Sequence, residues 1–289
     1  MSVFDKKVPV PYNYHMMTDN IIELPGVKNV RELGGYRAGD RTVKKDLLIR
    51  GGSLSNAGPD AINILVDKYH VQAIVDLRMT HQFDGTPDPD VPGAEMFRFP
   101  VVEIEDYLAK VDKPEIVQQF MSGGLDKKAF FEAAYGYGFF SPGIYDLFLL
   151  GSRGMHAFRG FFSVLIDCDP DKGAIFWHCV GGKDRAGLAS MLLLTALGAD
   201  KDVILEDYLL TNVCNAVKIE QTRKYCEAAG MPPEMADARV FVASCVYGRY
   251  MTHAMGTLEK QFGSVEGYLY DGLGLTEEDI SILRGKYTE

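Results

Sequence analysis

A cysteine, five further residues and an arginine form the most chemically pointed spacing in this 289-residue chain: Cys179-Val180-Gly181-Gly182-Lys183-Asp184-Arg185. The cysteine follows an apolar strand-like run, 174–178, and an apolar helical run begins near 186. Gly181 and Gly182 let the backbone amides of 180–185 converge without Cβ obstruction. Amides backed by a helix N-terminus make a concave site for a tetrahedral oxyanion. The same field favours the Cys179 thiolate; cysteines so placed have pKa values of about 3.5 to 7.5. Arg185 offers a planar fork to two anion oxygens, which Lys183 supports only as a point charge. A nucleophile, an anion cradle and a bidentate clamp in one loop are the apparatus for phosphoryl transfer to sulfur.

Cys-x5-Arg alone is a weak signal. The preceding His178, the Gly-Gly-Lys-Asp filling and the strand-to-helix setting make it specific. A nucleotide-binding P-loop is excluded, because Trp177 stands where its first glycine belongs and Asp184 follows Lys183 where Ser or Thr is required. The absence of CxxC or HxxxH spacing argues against zinc. On this reading Cys179 is the nucleophile and Val180, Gly181, Gly182 and Lys183 receive the phosphate. Arg185 carries the transition-state charge, and His178 holds the loop from behind. Arg78, at the end of another strand, is placed for a substrate contact. Arg31 and Arg50 read more as solvated loop charges than as site residues.

The elements that must position this loop are β-rich runs at 47–49, 71–77, 95–102 and 174–178, with a helical pattern at 59–69 between the first two. The second half reads mostly helical, at 155–166, 188–197, 202–214 and 215–229. That order predicts an α/β fold with a central, mostly parallel sheet flanked by helices and carrying helical excursions. No repeat or long linker divides the chain, so a single domain over 1–289 is expected. Residues 1–20 are expected to lie extended. Residues 103–150, with Gly123-Gly124 and an aromatic run, read either as a lid or as an added helical layer.

Composition narrows the function classes. Hydrophobic residues are 47% and charged residues 24%, a globular balance, and forty acidic against thirty basic side chains leave a net charge of −10. That disfavours nucleic acid and anionic membranes as partners. No apolar run approaches the ~18 residues of a membrane span. Five cysteines in irregular spacing suit reduced thiols, hence a cytoplasmic location. No metal or other cofactor is expected.

The loop resembles the His-Cys-x-x-Gly-Lys-Asp-Arg-(Ser/Thr)-Gly signature of the bacterial and fungal tyrosine-phosphatase-like group. The likeness continues in 29–36, Asn-Val-Arg-Glu-Leu-Gly-Gly-Tyr, and in Arg50-Gly51-Gly52-Ser53-Leu54. It includes Asp76-Leu77-Arg78 and 207–212, and ends in the tail, from 262–269 with its Gly-Ser…Tyr-Leu through Gly274-Leu275-Thr276. The resemblance implies a cysteine phosphatase acting on phosphotyrosine, with phosphoserine, phosphothreonine or phosphoinositides as further substrates and signal-less export in some members. It also implies that Asp184 is the general acid; Asp146, Glu103 and Asp106 are its rivals. Two positions depart from the pattern. Ala186 replaces the usual Ser or Thr, whose hydroxyl helps sulfur leave in the second step, so a phospho-ligand binding module with weak turnover is the alternative. Gln82 stands where the family commonly has Glu.

Overall fold

The structure is a computed structural model that describes residues 18–109, 115, 135 and 140–289. Seven strands occur among these residues: β1 (Arg31–Glu32), β2 (Arg37–Ala38), β3 (Arg41–Thr42), β4 (Leu48–Gly51), β5 (Ala73–Asp76), β6 (Glu95–Arg98) and β7 (Ile175–His178). Five build the central sheet in the order β1-β4-β7-β5-β6, while β2 and β3 form a separate hairpin. β4, β7, β5 and β6 run parallel and β1 is antiparallel on the edge, so the expected α/β, mostly parallel sheet is found.

β4, β5 and β7 are buried at every position, as a parallel sheet covered on both faces requires. Their side chains alternate between two cores. Ile49, Ile74 and Phe176 join Leu54, Leu65 and Tyr69 on one face. Leu48, Val75 and Trp177 join Phe161, Leu192 and Tyr208 on the other.

The helices are α1 (Pro59–Asn63), prolonged by a π turn over Ile64–Lys68, then α2 (Thr80–Gly85), α3 (Ile104–Leu108), α4 (Ile144–Leu150) and α5 (Ser152–Asp167). They continue with α6 (Asp184–Leu197), α7 (Lys201–Cys214), α8 (Ala216–Ala228), α9 (Pro233–Ala243), α10 (Gly248–Phe262) and α11 (Glu277–Tyr287). α6 is buried along nearly its whole length and stops at Gly198, whose φ of 94° suits the left-handed C-terminal position. It is the helix behind the Cys-x5-Arg loop.

α6 starts at Asp184, two to four residues before the expected 186–188, so Asp184 and Arg185 lie in its first turn. β6 stops at Arg98 instead of running to 102; Pro100 has no amide to continue a ladder. Most of 103–150, and with it the choice between a lid and an added layer, lies outside the described residues, as do 1–17. Residues 18–20 form a short 3-10 turn.

Candidate active site

Gly51, His178 and Asp76 are register partners across β4, β7 and β5. The loops leaving those three strand ends therefore emerge side by side at the carboxyl edge of the sheet, where open α/β sheets bind ligands. The Cys179–Lys183 loop is the middle one. Its shape depends on Gly182, which has φ of 64° and lies so close to the β4 loop that an added Cβ would stand 2.4 Å from the Gly51 carbonyl carbon.

Each carbonyl of the loop is held from outside. The Ser53 amide donates to the Val180 carbonyl at 3.2 Å. Asn29 Nδ2 donates to Gly181 O at 3.1 Å and to Gly182 O at 2.9 Å. Arg50 Nη2 donates to Gly182 O at 2.8 Å and to Lys183 O at 3.3 Å. In a trans peptide the N–H points opposite to the C=O. Pinning the carbonyls of 180–183 outward therefore aims the amides of 181–184 at the space enclosed by the loop. The amides of the first turn of α6 add to these, since they have no acceptor within the helix.

The holders are themselves held. Asn29 has φ of 57°, a left-handed conformation that asparagine tolerates, and its Oδ1 accepts from Arg31 Nη1 at 2.6 Å. Asp207, on α7, receives Arg31 Nε at 2.8 Å on one oxygen and Arg50 Nη1 at 2.5 Å on the other. All three side chains are buried. Burial alone would raise the Asp207 carboxyl, but the two arginines outweigh it and hold its pKa below the ordinary value. Burial, and then the like charge of Arg31, lower Arg50 to about 10 against the pull of Asp207; it remains a cation at neutral pH. Arg31 and Arg50 are thus not the solvated charges expected from sequence. They form a buried ion triad whose function in the fold is to orient a loop.

Cys179 sits at the base with 2% of its surface exposed. Arg185 Nη1 donates to Gln82 Oε1 at 2.9 Å and to Leu77 O at 3.3 Å, which ties the clamp to the loop after β5. The Asp184 carboxylate is 25% exposed. Its Oδ1 accepts from the Tyr145 hydroxyl at 2.6 Å, and Tyr145 in turn bonds the Tyr208 hydroxyl at 2.7 Å. Lys183 Nζ lies 3.5 Å from Asp184 Oδ2. It donates to the carbonyls of Phe241, near the C-terminus of α9, and Cys245, and stands 4.4 Å over the Phe241 ring. An ammonium there meets the negative end of a helix.

Arg78 is 1% exposed, and its five N–H donors go to Asp76, Asp88, Ser53 and the Thr86 carbonyl. None is left for a substrate, so the contact expected from its strand-end position gives way to a buried clamp. His178 Nε2 is 3.3 Å from Asp88 Oδ2, and Nδ1 is 3.3 Å from Cys179 O. Asp88 is pulled below the ordinary carboxylate range although burial opposes this; the neighbouring His178, Arg78 and the Ser53 hydroxyl outweigh it. Asp76, Asp88 and His178 converge closely enough to share a cation, and the Arg78 guanidinium is already bonded to both carboxylates.

Sequence reasoning missed Asn29, Asp207, Tyr145 and Tyr208 as parts of this site. The available signals were the segments 29–36 and 207–212, which hold Asn29, Asp207 and Tyr208, and Asp207 itself, a carboxylate on the buried stripe of a helix, which calls for a cationic partner.

A mostly parallel sheet that presents a Cys-x5-Arg loop at its carboxyl edge, backed by a helix N-terminus, is an oxyanion site of the kind a phosphatase uses. More narrowly, the chain belongs to the tyrosine phosphatase family, whose model matches residues 22–289. It is 28% identical over 262 residues, 90% of this chain and 86% of the other, to a protein of Cupriavidus necator provisionally named a tyrosine-protein phosphatase. It is 25% identical over 280 residues, 91% and 97% of the two chains, to the triple specificity protein phosphatase PtpB of Mycobacterium tuberculosis. A tyrosine-protein phosphatase of Nostoc commune is 32% identical over 117 residues, 39% of this chain and 38% of that one. No helix among the described residues is long and apolar enough to cross a membrane.

Proposed function

We propose that this chain hydrolyses phosphomonoesters, phosphotyrosine foremost, through a phosphocysteine on Cys179. The observation that carries the reading is the outward pinning of the carbonyls of 180–183 by Ser53, Asn29 and Arg50. It leaves a ring of amides for the equatorial oxygens of a phosphoryl group. Arg185 supplies two more donors at the rim. Membership of the tyrosine phosphatase family puts phosphotyrosine first, while the triple specificity named for the Mycobacterium tuberculosis relative keeps further phosphoester classes in view.

In the first step the Cys179 thiolate attacks phosphorus, an S–P bond forms, and the P–O bond to the leaving group breaks. Protonated Asp184 gives its proton to the departing oxygen. In the second step water attacks phosphorus, its proton passes to Asp184, the S–P bond breaks, and inorganic phosphate leaves with the thiolate restored. The rival acids are engaged elsewhere. Asp146 pairs with His253 at 3.0 Å, Glu103 accepts from the Thr80 amide, and Asp106 pairs with Arg153. Lys183, from its seat on α9, adds positive charge beside Asp184, and His178 and Arg78 serve as supports behind the loop.

The test is a panel of aryl phosphate, phosphotyrosine peptide, phosphoserine peptide and phosphoinositide. Turnover fastest on the aryl and phosphotyrosine substrates, abolished in Cys179→Ser and nearly so in Arg185→Ala, supports the reading. Saturable phosphotyrosine binding without turnover, with catalysis appearing in Ala186→Ser, supports the binding-module alternative instead.

A further inference from the structure

We infer that Tyr145, backed by Tyr208, is a positioning residue that assigns the catalytic proton of Asp184 to one oxygen, Oδ2. This rests on the reading of Asp184 as the general acid. An ionised carboxylate has no proton to give, so in the 2.6 Å contact the Tyr145 hydroxyl donates to Oδ1. Its oxygen is then free to accept from Tyr208 at 2.7 Å, and the three groups form one directed chain from α7 through α4 to the loop. Both hydroxyls are buried, and burial, followed by the negative charge of Asp184, holds them far above the ordinary tyrosine range. Both keep their protons at neutral pH.

With Oδ1 occupied as an acceptor, a proton arriving on Asp184 bonds to Oδ2, the oxygen on the Lys183 side at 3.5 Å. A carboxyl with a single protonation site delivers its proton from a fixed point, which an acid held by one rotatable bond does not. Loss of the Tyr145 donor removes a hydrogen bond from the ionised carboxylate. The other groups facing Asp184 are Lys183 and Arg185 from the loop, Tyr107 from α3 and Tyr250 from α10. Burial raises both of these tyrosines to about 12, and the Asp184 charge adds to each. Both tyrosines therefore stay neutral across the working range.

The experiment is the pH profile of kcat/KM in the full chain, with p-nitrophenyl phosphate and phenyl phosphate as a good and a poor leaving group. In Tyr145→Phe the alkaline limb is expected to move up by about one pH unit, with phenyl phosphate slowed several-fold more than p-nitrophenyl phosphate. Tyr208→Phe, acting through Tyr145, is expected to move the limb in the same direction by less. Asp184→Asn must abolish the limb and penalise phenyl phosphate most. If Asp184→Asn does so while Tyr145→Phe leaves the limb and the leaving-group ratio unchanged, the inference falls and the acid assignment stands. If Asp184→Asn changes neither, the acid assignment itself falls, and the inference with it. Should Tyr145→Phe fail to fold, Tyr208→Phe decides: an upward shift supports the relay, and an unmoved limb overturns it.

Discussion

The side-chain carbonyl of Gln82 accepts a hydrogen bond from Arg185 at 2.9 Å and, through the same Oε1, from the Met79 amide at 3.2 Å. The phosphate-clamping guanidinium is therefore oriented by a neutral group, and its charge stays whole for the ligand. Gln82→Glu would keep the geometry but add a negative charge facing the phosphate. At an effective dielectric of 20, one charge at ~8 Å is worth roughly 2 kcal/mol before screening, so inorganic phosphate should inhibit the variant about tenfold more weakly at low salt. The inhibition constant measures this; unchanged or tighter binding would contradict it.

Adjacent glycines in the loop should respond in opposite ways. A Cβ on Gly182 meets Gly51 and Gly52 backbone atoms at 2.4–2.6 Å and requires a left-handed residue, whereas one on Gly181 meets only Lys183 Cγ at 3.7 Å. Gly182→Ala should cost more than about 3 kcal/mol of stability or abolish phosphate binding, and Gly181→Ala less than about 1 kcal/mol. Denaturation midpoints and phosphate titration of the two variants check the contrast.

The buried Arg31–Asp207–Arg50 triad should make stability fall in acid. Asp207 and Asp88 both have depressed folded-state pKa values. Their contribution is complete above the unfolded aspartate value of about 3.9 and is lost as pH drops from there through the folded values. Denaturation midpoints should be nearly flat from pH 7 to about 5 and decline below about 4. Asp207→Asn should lower stability by about 3–5 kcal/mol at neutral pH, because two buried guanidinium groups lose their counter-charge, and should flatten the acid decline. A variant with wild-type stability at pH 7 would remove the triad from the account.

Ala186 is fully buried in the first turn of α6, with its carbonyl bonded by Ser190 at 2.9 Å. It offers the sulfur no hydroxyl in the second step. Rapid mixing with an aryl phosphate should give a burst of phenol followed by slow turnover, and Ala186→Ser should remove the burst while raising the steady rate about tenfold. Linear product formation from the first turnover in the parent chain would count against this.

The parts of the fold set by local rules were readable in advance. Residues 73–75 and 174–177 are unbroken apolar runs, and a sheet covered on both faces needs such runs, so the central strands and their parallel pairing were visible. The loop was visible because its chemistry is compressed into seven consecutive residues. What stayed hidden depends on partners far apart in sequence. Arg31 and Arg50 read as solvent charges because their counter-charge, Asp207, comes more than 150 residues later. Arg78 read as a substrate ligand because the capture of its donors by Asp88 depends on how the loop after α2 folds back. The Tyr145 hydroxyl reaches Asp184 only through the packing of α4 against the rest of the helical layer, which no periodicity records.

The central claim, that Cys179 accepts the phosphoryl group within an amide ring closed by Arg185, is tested most directly by acid-quenching the chain milliseconds after mixing with an aryl phosphate and mapping the product by mass spectrometry. The account predicts one phosphoryl group per chain on the peptide that contains Cys179, absent in Cys179→Ser and scarcely formed in Arg185→Ala. Turnover with no phosphorylated peptide at any quench time, or with the label on another residue, would contradict it.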